Sequence, residues 1–378
     1  MLKAISAPRI FDGEHYYTDS ALLWSKGQIE AIVPILDVPP HAEHQHFDDA
    51  LIAPGFIDLQ VNGGGGVMFN SDTSVEAIDA ICKAHRRHGT AYLLPTLISE
   101  TPTQLNHALN NTERAIELGI PGVLGVHLEG PWLNPDKKGA HDETRFYAPN
   151  VEQLEAMPWL KNGTTLVTLA PEKNTLNAMR WLKEHGIHLS CGHSNATTQQ
   201  LTQEKLHCLD GYTHLFNAMS AFEGREPGVV GSALSQDSAW CSIITDGIHV
   251  HPQSVLLAYK AKPKGQLIIV TDAMATVGSD SPHFELDGEI ISVVDNKLVN
   301  ANGSLAGAHI GMDESVANVI SWGIDEAEAL KMASTYPAQA LKQNNLGHFK
   351  KGATAAATIL TSHYQTAGVM VDGQLFTD

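Results

Sequence analysis

Eight short apolar runs with strand character recur across about 220 residues of this 378-residue chain, mostly with helical segments between them. They are 52–61, 90–98, 122–128, 164–169, 187–191, 211–213, 240–245 and 266–271. Strands that alternate with helices pair in parallel, because a parallel neighbour needs a crossover long enough to hold a helix. Eight such units close economically into a (β/α)8 barrel, and an open doubly wound sheet is the rival arrangement. A dinucleotide-binding form of the rival lacks its motif. Residues 63–66 are all glycine, yet no Gly-x-Gly-x-x-Gly opens a helix and no Walker sequence occurs. The helix signals between runs are concrete. Thr73-Ser-Val-Glu76 reads as a capping box before the apolar set Val75, Ile78, Ile81 and Cys82, with Gly89 as the stop. Thr101-Pro102 supplies a cap and a first-turn proline, with Gln104 completing a second box.

The two ends are patterned differently. Residues 1–51 hold short strand patterns around the turn signal Lys26-Gly27, and the tail repeats the style in 354–360 and 368–374. The expectation is a small β-sandwich domain built from both termini, 1–51 plus 345–378, flanking a barrel over 52–344. Residues 281–300 interrupt the last βα unit, with Leu286-Asp-Gly-Glu-Ile-Ile-Ser reading as a hairpin. Residues 310–322 and 325–341 read as closing helices.

Charge narrows the partners. A formal net charge of -18 repels duplex nucleic acid and anionic membranes, and no Lys/Arg-rich stripe offsets it. An anionic substrate would have to be met by a few local cations. No run approaches the ~20 apolar residues of a membrane span, and the start of the chain lacks a signal-peptide core. Cys82, Cys191, Cys208 and Cys241 are widely spaced without Cys-x-x-Cys, which reads as the reduced thiols of a cytoplasmic protein.

Four of the runs end in a residue that can bind a metal or move a proton: Glu129, His193, His214 and Asp272. Each alone reads as an ordinary strand-end residue. Together, a glutamate and two histidines from three strands form a set able to hold one divalent metal with a position open for water. Asp272, following the most apolar run, could exchange protons with that water. His127 and His251 are read as structural, and His41, His44 and His46 as part of a solvated loop.

The ordered motifs carry a more specific message. Pro54-Gly-Phe-Ile-Asp-Leu-Gln-Val-Asn-Gly, His127-Leu-Glu-Gly-Pro-Trp, Lys137-Lys-Gly-Ala-His141, Gly192-His-Ser-Asn-Ala, Thr213-His-Leu-Phe-Asn-Ala-Met, Asp246-Gly-Ile-His249 and Thr271-Asp-Ala-Met resemble the motif series of the N-acetylglucosamine-6-phosphate deacetylases of the amidohydrolase superfamily. The match runs in order from about residue 50 to 340. The resemblance implies a homodimeric hydrolase that removes the acetyl group of N-acetyl-D-glucosamine 6-phosphate. It implies Glu129, His193 and His214 as metal ligands, Asp272 as general base and then acid, and His141 at the acetamido carbonyl. It places Ala140, Asn217, Ala218, Arg225, His249, Leu305, Ala306 and Gly307 around the sugar phosphate, with Arg225 reaching the neighbouring subunit's site. From the residues alone, Arg225 reads equally as a loop arginine paired with Glu223 or Glu226.

One departure from the wider superfamily stands out. The His-x-His that holds a second metal at the first strand's end is replaced by Gln60-Val61-Asn62. Neutral amides are poor ligands for a borderline-soft ion, and run 164–169 has no lysine to bridge two metals. A single metal follows, with zinc first for this donor set and iron, manganese and cobalt as alternatives. Two other functional readings stay open: a deacetylase of the galactosamine epimer, and a non-catalytic barrel scaffold.

Overall fold

The computed structural model of the protein describes residues 1–301, 303 and 305–377. The eight runs fold as one parallel sheet, here labelled β1 (Phe56–Val61), β2 (Thr90–Ile98), β3 (Gly125–Glu129), β4 (Thr164–Leu169), β5 (His188–Cys191), β6 (Gly211–Tyr212), β7 (Trp240–Ile244) and β8 (Leu267–Val270). Neighbours in sequence are neighbours in the sheet throughout. Every residue of these strands is buried, because helices cover the outside and side chains from opposite strands fill the inside.

The ring closes between β1 and β8 by few but well-placed contacts. The Asp272 N–H donates to the Gln60 carbonyl at 3.0 Å, and the Asn62 N–H to the Ala273 carbonyl at 2.9 Å. Below them lies Asp58, wholly buried on β1. Its carboxylate accepts from the Gln60 N–H, from the Thr271 N–H and from the Thr271 hydroxyl. A side chain thus does at this seam what ladder hydrogen bonds do between the other strands. Burial pushes the Asp58 carboxyl up to about 7, against the pull of those donors.

Two boundaries differ from the sequence expectation. The run 52–61 is two strands, not one. Ala50–Pro54 pairs with Leu2–Phe11 and Ala357–Thr361 in the terminal sheet, and β1 starts only after Gly55. Both halves are apolar because both are buried, so the hydrophobic pattern carries no mark of the join. The first helix, Val75–Arg86, is capped by Ser74, whose side chain accepts from the Ala77 N–H, and not by Thr73. Two adjacent hydroxyl residues leave that register ambiguous in sequence.

The termini combine as expected, but as one hydrogen-bonded sheet of eight strands. Its core is Ile5, Ile10, Leu22, Trp24, Ile52, Phe349, Ile359 and Met370. Residues 43–46, expected in a solvated loop, form an exposed strand beside Leu2–Phe11, where His44 and His46 both reach the Ser6 hydroxyl at 2.7 Å. Thr358 joins sheet to barrel: its hydroxyl donates to the Gly89 carbonyl and accepts from the Phe56 N–H.

The insertion is a three-stranded meander, His283–Leu286, Glu289–Val294 and Lys297–Val299. Its apolar side packs on Met68, Ile98 and Met274 at the barrel mouth. Arg145 ties the Asp287 turn to Glu100 at the end of β2, each at 2.7 Å. Among the described residues no helix is long and apolar enough to cross a membrane.

Replacing Asp58 with alanine would strand two buried N–H groups at the seam. Asp58→Ala is expected to lower the unfolding free energy by about 3 kcal/mol, measured by urea denaturation. A loss under about 1 kcal/mol would show that the seam does not depend on this carboxylate.

Candidate active site

Glu129, His193, His214 and Asp272 all stand at the carboxyl ends of barrel strands and meet in one buried cluster. Glu129 is the last residue of β3, and the chain turns away immediately at Gly130, with φ +83°. A Cβ at Gly130 would come within 2.4 Å of the Ser99 hydroxyl, so only glycine fits this exit. His193, His214 and Asp272 follow β5, β6 and β8 with φ of +47°, +38° and +52°. Left-handed backbone at non-glycine residues costs about 1–2 kcal/mol each.

The surrounding hydrogen bonds enforce that geometry. The His193 carbonyl accepts from the Asn134 N–H at 3.0 Å. The His214 N–H donates to the Ser242 hydroxyl at 2.8 Å. The Asp272 carbonyl accepts from the Ala308 N–H at 3.0 Å.

Glu129 Oε1 lies 3.1 Å from His193 Nε2 and 2.9 Å from His214 Nε2, and the two nitrogens are 3.0 Å apart. Ligand atoms on a tetrahedral ion with bonds of about 2.0–2.1 Å sit about 3.3 Å apart, so the triangle has the size such an ion needs. The tautomer fits too. His193 Nδ1 faces the Lys137 carbonyl at 2.8 Å, so that nitrogen carries the proton and Nε2 offers its lone pair to the cluster. Burial alone would raise the Glu129 carboxyl, but His141, His193 and His214 around it hold it well below the usual range. Two imidazoles and a carboxylate suit a borderline divalent ion.

His141 is placed from the other side. The Ser99 N–H donates to its Nδ1 at 3.1 Å, with the Ser99 hydroxyl at 2.8 Å. An Nδ1 that accepts leaves the proton on Nε2, which points inward, 3.7 Å from Glu129 Oε2. Burial, with the nearby His193, lowers the His141 pKa to about 4. The residue is therefore a neutral N–H donor aimed into the site. Asp272 is shifted the opposite way, raised to about 6 by burial and by the charge of Glu129.

These groups line a cavity of about 200 Å³ together with Asn62, Ala140, Asn217, Ala218, His249, Leu305 and Gly307. His249 is oriented by Asp246, whose Oδ2 is 2.5 Å from Nδ1. Ala306 lines the adjoining cavity of about 380 Å³ beneath the insertion instead. Arg225 is exposed in the 220–228 loop and does not line either cavity. His127 is buried in the barrel interior against the Leu59 carbonyl and Thr168, and His251 caps a helix by accepting from the Gln253 N–H. Nothing in the sequence pointed to Ser99, and Asp246 and Lys137 stood there only as members of motifs, without a role of their own. Lys137 acts through its carbonyl, which leaves no mark on residue identity, and Ser99 through both its N–H and its hydroxyl.

The sequence is similar to known proteins over nearly its whole length. The model of the amidohydrolase family matches residues 51–376. An N-acetylgalactosamine-6-phosphate deacetylase of Shewanella sp. (strain ANA-3) is 36% identical over 88% of this chain and 84% of its own length. An N-acetylglucosamine-6-phosphate deacetylase of Haemophilus influenzae is 34% identical over 94% of each. The crystal structure of N-acetylglucosamine-6-phosphate deacetylase from Pasteurella multocida superimposes with a TM-score of 0.93, at 34% identity and complete coverage of both chains.

The convergence of the three ligand atoms generates a direct test. His193→Ala protein is expected to purify with little bound transition metal while wild type carries about one ion per chain, as read by elemental analysis. A fully loaded variant would remove His193 from the ligand set.

Proposed function

The chain belongs to the amidohydrolase family, and on that premise we propose that it hydrolyses the N-acetyl amide of N-acetyl-D-glucosamine 6-phosphate, giving D-glucosamine 6-phosphate and acetate. The observation that carries the proposal is the meeting of Glu129, His193 and His214 with Asp272 and the inward N–H of His141 around one small cavity.

Glu129, His193 and His214 would hold one divalent ion, zinc in our reading. When bound, such an ion supplies Lewis acidity and lowers the pKa of a coordinated water toward neutrality. The remaining work belongs to the chain. Asp272 takes the proton of the attacking water on its carboxylate and returns it to the amide nitrogen as the C–N bond breaks. His141 donates its Nε2 hydrogen to the carbonyl oxygen as negative charge develops there. The low pKa of His141 keeps it neutral through this step, so it polarises the carbonyl by hydrogen bonding without giving up a proton.

The phosphate raises a separate problem. Among the described residues lining the cavity there is no lysine or arginine, and a net charge of -18 does nothing to attract a dianion. His249 and Asn217 offer hydrogen bonds, and a guanidinium is the group that forks onto phosphate oxygens. We assign that role to Arg225 of a second copy of the chain, which makes the working unit a homodimer. A cytoplasmic location belongs to the same proposal, since the substrate is a phosphate ester that membranes retain, and the four cysteines are free thiols.

A second reading has a specific support: the Shewanella relative acts, by its name, on the galactosamine epimer. The two substrates differ only in one hydroxyl configuration.

Acetate release from the glucosamine substrate, abolished by a chelator and restored by zinc, is the expected outcome for wild type. Asp272→Asn should cost about 10²–10⁴-fold in kcat with metal content intact; retained turnover would end its assignment as proton carrier. Parallel assays on the two epimers decide between the sugar phosphates by their kcat/KM ratio. Coexpressed Asp272→Asn and Arg225→Ala chains, each inactive alone, should regain partial activity, because a mixed dimer contains one intact site. No recovery would overturn the assignment of Arg225 to the neighbouring subunit's site, and an Arg225→Ala chain that is fully active alone would place Arg225 outside the site.

A further inference from the structure

Gln60 and Asn62, which the sequence resemblance reads as replacements for a second metal's ligands, have contacts of their own. Residues two apart on a strand face the same way, and both side chains are buried at the barrel mouth, with Asn62 lining the cavity. Gln60 Nε2 is 3.0 Å from Asp272 Oδ1 and 3.0 Å from Glu129 Oε1. An amide NH2 has two hydrogens, so Gln60 donates one to each carboxylate. Asn62 Nδ2 donates to the same Asp272 Oδ1 at 2.6 Å.

The main chain repeats the pattern. The Asp272 N–H donates to the Gln60 carbonyl, and Asn62 is bonded to Ala273. Asp272 is therefore fixed at both backbone and side chain by the end of β1 and the residue that follows it. Two donors occupy Oδ1, while among the described residues Oδ2 makes no hydrogen bond. A carboxylate held this way has one oxygen for support and one for chemistry. Gln60 also sits between two carboxylates that would otherwise repel each other in a buried site.

We propose that Gln60 and Asn62 are positioning residues of the deacetylation, fixing the Asp272 carboxylate so that Oδ2 alone exchanges protons with the reacting groups. The inference rests on the reading of Asp272 as the proton carrier. On it, the Gln-x-Asn pair is more than the loss of a second metal's ligands: it has a function that histidines at these positions could not serve while bound to an ion.

The test uses near-isosteric variants without N–H donors, Asn62→Leu and Gln60→Met, in the metal-loaded enzyme. Each should lower kcat about 10–100-fold, the usual cost of removing an orienting partner. KM for N-acetyl-D-glucosamine 6-phosphate and the metal bound per chain should stay at wild-type values. Unchanged kcat overturns the proposal, as does a loss of metal or a rise in KM that accounts for the lost activity. Should one variant fail to fold, the other decides. Wild type that releases no acetate would overturn the deacetylase reading itself, a result distinct from active wild type with fully active variants.

Discussion

The seam between the first and last barrel strands is the constraint on which the rest of the site depends. Elsewhere the strands are joined by their ladders. At this seam the Asp58 carboxylate gathers the N–H groups of Gln60 and Thr271 and the Thr271 hydroxyl. Gln60 and Asp272 then lie immediately above it, joined by their own backbone hydrogen bond. The register that closes the barrel is thus the register that brings Asp272 to Glu129. Slipping it by one residue would turn Asp272 out of the mouth.

Electrostatics in the cluster sort similar groups into unlike roles. Glu129 and Asp272 are both carboxylates at strand ends, the first buried and the second partly buried. Three imidazoles hold the first in its charged form, whereas the second is pushed up by burial and by its neighbour's charge. His141 and His193 are both buried histidines whose ring planes cross at 62°. One meets a backbone N–H at Nδ1 and the other a backbone carbonyl, so one presents a proton inward and the other a lone pair. Environment, more than residue type, makes one offer a proton and the other a lone pair.

Much of this was legible in the sequence, and the reasons are physical. Strands buried on both faces read as unbroken apolar runs, and a polar residue at their ends is conspicuous because the run stops there. Glu129, His193, His214 and Asp272 were visible for that reason. His141, in a loop without periodicity, became visible only through the ordered motifs. The join at Gly55 was hidden because Ile52 and Ile57 are equally buried on either side of it. Ser99 was hidden because its N–H would be the same from any residue but proline, and a lone serine after an apolar run does not announce that its hydroxyl also meets His141. Gln60 and Asn62 were legible as missing ligands, but their partner lies more than 200 positions away, and no local pattern connects them.

The left-handed backbone at His193, His214 and Asp272 has a consequence for how this protein trades durability against activity. Each of these residues occupies a conformation that glycine or asparagine adopts more cheaply. Replacements that silence the site can therefore relieve the fold, and an inactive chain can outlast an active one on heating. Selection for robustness alone would erode the cluster from these three positions first. Two imidazoles and a carboxylate in left-handed turns thus set a local backbone cost against the chemistry that their side chains offer.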